Sequence, residues 1–144
     1  TTLFRSDFEL RTAAARAALP ATVPHGDASF NVARGALLAA ILSGGAQASG
    51  GVNLHALLME ATRDRLHQEQ RRAAMEPSLA LVDWLRGAGF AAVVSGAGPT
   101  VLSLEKVGAD IRRDAAGAGW RVVPLAVAAS GVQITRGSLA KVEF

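Results

Sequence analysis

Cysteine and tyrosine are both absent from this 144-residue chain. Without cysteine there are no disulfides, no thiolate metal sites and no cysteine nucleophile. Aromatic residues make up 5% of the chain, and no dense Lys/Arg run is interleaved with them. The net charge is only +3, so a nucleic-acid interface is not expected, despite a sequence pI near 10.5. The three histidines, His25, His55 and His67, include no H-x-x-x-H pair, and no metal site is expected. The apolar runs are too short to cross a bilayer and nothing resembles a signal peptide. These absences together predict a cytoplasmic protein with neither membrane nor nucleic acid as partner.

What remains is globular in composition, half hydrophobic and 19% charged, at a length that suits one domain. The first six residues, Thr1-Thr2-Leu3-Phe4-Arg5-Ser6, are what ACG-ACG-CTC-TTC-CGA-TCT encodes, a DNA string resembling the end of a common sequencing adapter. The expectation is that residues 1–6 are not native and that residues 7–144 form the domain, with Phe8-Glu9-Leu10 the stump of a strand. If residues 1–6 pair at all, the alternation of Leu3 and Arg5 suits an edge strand.

Thr12 is placed to cap a short helix over 13–19 that Pro20 ends. Asp27 is placed to cap a longer helix on which Phe30, Ala33, Leu37, Leu38 and Ile41 recur at helical spacing. A Gly/Ala/Ser loop follows over 43–51. Asn53 caps a third helix lined by Leu54, Leu57, Leu58 and Ala61. Pro77 suits the opening of a fourth, with Leu81, Val82 and Leu85 inward and Gly87 and Gly89 at its end. Two short apolar strands, Ala91–Val94 and Val101–Leu104, come next. A brief helix capped by Asp110 precedes a strand over 120–128, and Val132–Thr135 is read as that strand's hairpin partner. Strands and helices in this order predict an α+β fold, with helices on one face of a small, mainly antiparallel sheet.

Three features stand out as candidate chemistry. Ser95-Gly96-Ala97-Gly98-Pro99-Thr100 joins the two apolar strands, and its glycines permit a backbone path that presents N–H groups to an anion. The alternative is a glycine-rich connection with no ligand. Arg34 falls on the apolar stripe of its helix, so it needs an anion: either a ligand carboxylate or phosphate, or an internal Asp or Glu. Arg63 to Arg72 holds four arginines with Asp64, His67 and Glu69, a cluster that a solvated helix end would also explain.

In combination, Leu19-Pro20-Ala21-Thr22-Val23-Pro24-His25, Phe30-Asn31-Val32-Ala33-Arg34, Asp64-Arg65-Leu66-His67-Gln68 and Ser95 to Thr100 resemble the C-terminal portion of the homoserine kinase family, within the GHMP small-molecule kinases. The resemblance runs from about Phe8 to the end. It implies a ferredoxin-like C-terminal domain and transfer of phosphate from ATP to L-homoserine, a step toward threonine. It further implies that Arg34 and Arg71 grip the amino-acid carboxylate, that His67 and Gln68 shape the pocket, and that Ser95, Gly96, Ala97, Gly98, Pro99 and Thr100 lie beside the phosphates. This chain has Glu69-Gln70 where the family usually has Pro-Tyr, leaving Arg71 or Arg72 as the binding arginine, with Arg71 the better match in spacing. The family's main nucleotide loop belongs to an N-terminal domain, so the ATP and Mg2+ sites would lie mainly outside this stretch. The fragment alone would then be inactive, and no catalytic base is assigned. A homodimer is left open for the full-length protein. The other readings are a GHMP kinase for a mevalonate-type or sugar substrate, and a free-standing ferredoxin-like ligand-binding module.

Overall fold

The computed structural model describes residues 1–44, 53–128 and 130–131. Strand β1 (Thr2–Arg5) opens the chain, followed by helices α1 (Thr12–Ala17), α2 (His25–Leu42) and α3 (Leu54–Ala61). A 3-10 turn (Glu69–Ala74) leads into α4 (Glu76–Gly87), the hairpin β2 (Ala92–Val94) and β3 (Val101–Ser103), then α5 (Ala109–Gly117) and β4 (Arg121–Pro124). The sheet order is β2-β3-β1-β4, and every neighbouring pair is antiparallel. Strands β1 and β2, like β3 and β4, therefore run parallel, each pair joined across an intervening strand by helices. This interleaved βαββαβ arrangement is the ferredoxin-like topology.

The register decides which face is core. Phe4 sits opposite Val101, and Thr2 opposite Ser103. These four are fully buried, because α4 and α5 cover that face with Leu81, Val82, Leu85 and Ala115. A second cluster lies at the β2 end of the sheet. There Ile41 of α2 and Leu58 and Ala61 of α3 pack with Ala91, extending the apolar surface past the edge strand. The apolar stripe read on α2 is observed in Leu37, Leu38 and Ile41, whereas Ala33 is exposed.

Several boundaries differ from expectation, each for a local reason. Residues 1–6 do not form an edge strand: β1 lies between β3 and β4, and Phe8 to Leu10 form no strand. Its interior place comes from backbone pairing with β3 on one side and β4 on the other, and its buried face carries Thr2 and Phe4 rather than Leu3 and Arg5. Helix α2 starts two residues before Asp27, with Pro24 as N-cap at φ −59°, an angle its ring already imposes. Asp27 lies in the first helical turn, where a carboxylate favours the helix dipole. Arg11 rather than Thr12 caps α1, and Gly108 rather than Asp110 caps α5. Asn53 does cap α3, accepting the Ala56 N–H at 3.1 Å. The final strand is shorter than the span 120–128. The loop over 43–51 falls largely, and the strand Val132–Thr135 wholly, outside the described residues.

Candidate functional site

The face of the sheet turned away from Phe4 carries Val93 and Leu102, which are register partners. With Leu104 they form the floor of an open cavity of about 610 Å³. Asn31, Arg34 and Leu38 of α2 make one wall, the segment from Ala61 to Gln68 with Arg71 and Met75 makes the other, and Ser95 and Gly96 close one end. Arg34, His67, Gln68, Arg71, Ser95 and Gly96, all singled out in the sequence, therefore border one space.

The segment after α3 is not a helix end. It folds around the Asp64 carboxylate, which accepts the N–H groups of Gln68 at 2.6 Å and His67 at 2.8 Å. Asn31 donates its amide to the same carboxylate at 2.6 Å, and its carbonyl oxygen accepts the Arg65 N–H at 2.9 Å, so α2 and this turn are locked together. Partial burial pushes the Asp64 pKa up, but the Gln68 N–H, the Asn31 amide and the His67 donors outweigh it and hold the group down at about 2. The His67 ring lies 3.1 Å from Asp64 through Nδ1, which leaves Nε2 uncommitted among the described residues. Gln68 reaches across to the sheet, where its side-chain oxygen accepts the Val94 N–H of edge strand β2 at 2.9 Å.

Arg34 meets both of its possible descriptions. It borders the cavity and also has an internal partner, Glu60 of α3, with which it forms an ion pair. Its guanidinium lies 3.8 Å from the centroid of Phe30, and that of Arg65 lies at 3.9 Å. Two groups that close to one centroid must occupy opposite faces of the ring. Arg71 gives its Nε to the Ala15 carbonyl at 3.0 Å and leaves its terminal amino groups without a partner among the described residues. Arg72 turns instead to Glu69 at 2.7 Å and Asp83 at 3.0 Å, outside this cavity. Of the two arginines that spacing left open, Arg71 is the one at the cavity.

The glycine loop divides into a lining half and a supporting half. Gly96 and Gly98 have φ of +61° and +79°, the left-handed region that favours glycine. The Ser95 N–H bonds to the Thr100 carbonyl at 2.8 Å and the Gly98 N–H to the Ser95 carbonyl at 3.1 Å. Among the described residues the N–H groups of Gly96 and Ala97 meet no acceptor. A Cβ on Gly98 would come within 3.1 Å of Met75 Cε and Val94 Cγ1. Ala97 packs toward Met75 and Leu79, and the Pro99 carbonyl accepts the Ser78 hydroxyl at 2.6 Å. Ala97, Gly98, Pro99 and Thr100 thus anchor the loop rather than border the cavity.

Four supporting residues had no role in the sequence reading. The signal that could have marked Asp64 is an acid placed just before residues whose N–H groups it can accept in a turn. Met75 and Ser78, both fully buried, hold the glycine loop against the start of α4. Arg86 donates to the Met59 carbonyl at 2.7 Å, the Thr62 hydroxyl at 2.8 Å and the Ala92 carbonyl at 3.2 Å, tying α4, α3 and β2 together behind the cavity. What marks it is a half-buried cation with neutral acceptors, and burial is not readable in sequence.

A family model described as "GHMP kinases C terminal" matches residues 37–118, more than half of the chain. A homoserine kinase of Streptomyces avermitilis is 45% identical over 124 residues, covering 85% of this chain and 38% of that protein. One of Corynebacterium kroppenstedtii is 42% identical over 140 residues, covering 96% and 42% respectively. The chain thus spans about two fifths of the length of these curated relatives. Among solved structures, a homoserine kinase from Cytophaga hutchinsonii superposes with a TM-score of 0.64 at 20% identity, covering 85% of this chain and 39% of that one, a likeness of fold.

Proposed function

The chain belongs to the family of GHMP kinase C-terminal domains, and from that premise we propose that it is the substrate-gripping part of a kinase that phosphorylates L-homoserine on its side-chain hydroxyl. The supporting observation is the convergence of Arg34, Arg71 and the Ser95–Gly96 half of the glycine loop on one cavity. A small amino acid carries one carboxylate, and a guanidinium matches it with paired donors. The apolar floor of Val93, Leu102 and Leu104 suits the substrate's two methylenes. Asp64 fixes the turn bearing His67 and Gln68, so those side chains are pre-positioned and little ordering remains for the ligand to impose.

ATP would supply the phosphoryl group. The glycine loop suits one side of a phosphate, since the N–H groups of Gly96 and Ala97 meet no acceptor among the described residues and the space a Cβ of residue 96 would take is open. Among the described residues no three His, Asp or Glu side chains converge as a metal site, and no step is assigned to Mg2+ here. Phosphoryl transfer rests mainly on positioning and charge stabilisation, the kind of work these residues can do. The test is ADP formation by a full-length kinase carrying this segment, offered L-homoserine, mevalonate and simple sugars in turn. Turnover with L-homoserine alone supports the reading, and turnover only with mevalonate or a sugar overturns it.

A further inference from the structure

Arg34 already has an internal partner. One terminal nitrogen is bonded to Glu60 Oε1, while its Nε is buried without a partner among the described residues. The side-on fork of a guanidinium consists of Nε and one terminal nitrogen. The end-on fork is Nη1 with Nη2, so both forks contain Nη2, the nitrogen bonded to Glu60, and a bidentate grip by Arg34 on an incoming carboxylate competes with Glu60 for it. Release is made easier by a second partner: Arg63 donates to the other Glu60 oxygen, Oε2, at 3.2 Å. If Arg34 lets go, Glu60 keeps one cation. The Phe30 ring, stacked at 3.8 Å, holds the guanidinium in place whichever carboxylate it serves.

We propose that Glu60 is an affinity-setting residue, an internal carboxylate that competes with the ligand carboxylate for Arg34. This rests on the reading above, in which Arg34 grips the substrate carboxylate. Side-chain exposures of 26% for Arg34 and 38% for Glu60 make the competing pair a partly solvated one, so its effect is moderate. Displacement of Glu60 is a toll on ligands that present an anion to Arg34 and no toll on ligands that do not. Glu60 therefore keeps the cavity from being filled tightly by every small carboxylate, and the ligand's remaining contacts must decide which one stays.

The experiment compares dissociation constants of L-homoserine and of L-homoserine amide, measured by calorimetry on a full-length kinase carrying this segment, with and without Glu60→Gln. The expected result is that Glu60→Gln tightens L-homoserine by roughly two- to five-fold, the scale of a partly exposed ion pair, and leaves the amide where it was. A merely structural role for Glu60 would shift both ligands together, weaken L-homoserine, or change neither, and any of these overturns the proposal. Should Glu60→Gln fail to fold, Glu60→Asp keeps the charge, draws it back by one methylene, and is expected to tighten L-homoserine to a smaller degree. Equal affinity of the parent protein for acid and amide would instead overturn the reading of Arg34 itself, and the proposal with it.

Discussion

Gly98 carries two constraints at once. Its φ of +79° is strained for any side chain, and a Cβ there would press on Met75 and Val94 at 3.1 Å. Gly98→Val is expected to cost about 1–3 kcal/mol through strain and displacement of buried neighbours. A thermal melt of the variant checks it, and an unchanged midpoint would contradict the geometry. Gly96, by contrast, has open space around its Cα, and only its φ of +61° resists substitution. Asp64 makes a prediction about pH. Its folded pKa of about 2 lies below the ordinary 3.8, so its contribution is complete above about pH 5 and is lost as pH falls toward 2. With its side chain 14% exposed, that contribution is on the order of 2 kcal/mol. Acid titration of stability followed by circular dichroism should show this loss, and Asp64→Asn should flatten the curve between pH 5 and 2.

The elements were legible in the sequence to differing depths. The glycine-bounded strands β2 and β3, the Asn53 cap and the inward face of α4 depend on local pattern, and all three are observed. For the arginine run after α3 a solvated helix end stood open beside a role at the site, because basic charges fit a helix dipole. Asp64 to Gln68 is a turn, because Asp64 offers the His67 and Gln68 N–H groups a better acceptor than helical carbonyls would, whereas Arg71 and Arg72 lie in the last turn of the 3-10 helix that follows. The place of β1 was hidden for a different reason: strand order depends on pairing across the whole chain, and four residues carry no mark of being interior. Sequence placed the glycine loop and Arg34, Arg71, His67 and Gln68 together only through resemblance. The contact of Arg34 with Glu60 depends on how α2 meets α3, 26 residues later. Arg86 is the bond among elements that sequence could not reveal, and burial lowers its pKa. Arg86→Met strands the Met59 and Ala92 carbonyls and should cost about 2–3 kcal/mol in urea unfolding. A loss below about 0.5 kcal/mol would mean that those carbonyls find other partners.

At the scale of the whole molecule, the helices over one sheet face and the cavity on the other are two results of a single alternation. Phe4 and Val101 look one way, and Val93 and Leu102 look the other. The cavity is broad and open, with the glycine loop reaching it only through Ser95 and Gly96 at one end. The 144-residue chain by itself is accordingly expected to hold nucleotide weakly and to form no ADP in response to L-homoserine. Sustained turnover of about 1 per second or more in a coupled ADP assay would contradict that. No helix among the described residues is long and apolar enough to cross a membrane. The central claim is that this fold brings a guanidinium off an otherwise apolar helix stripe to grip a substrate carboxylate. It is tested most directly by the KM for L-homoserine of Arg34→Lys in a full-length kinase carrying this segment. Lysine keeps the charge but lacks the fork, so KM should rise roughly ten-fold or more, with a much smaller change in kcat. Unchanged KM and kcat would contradict the account.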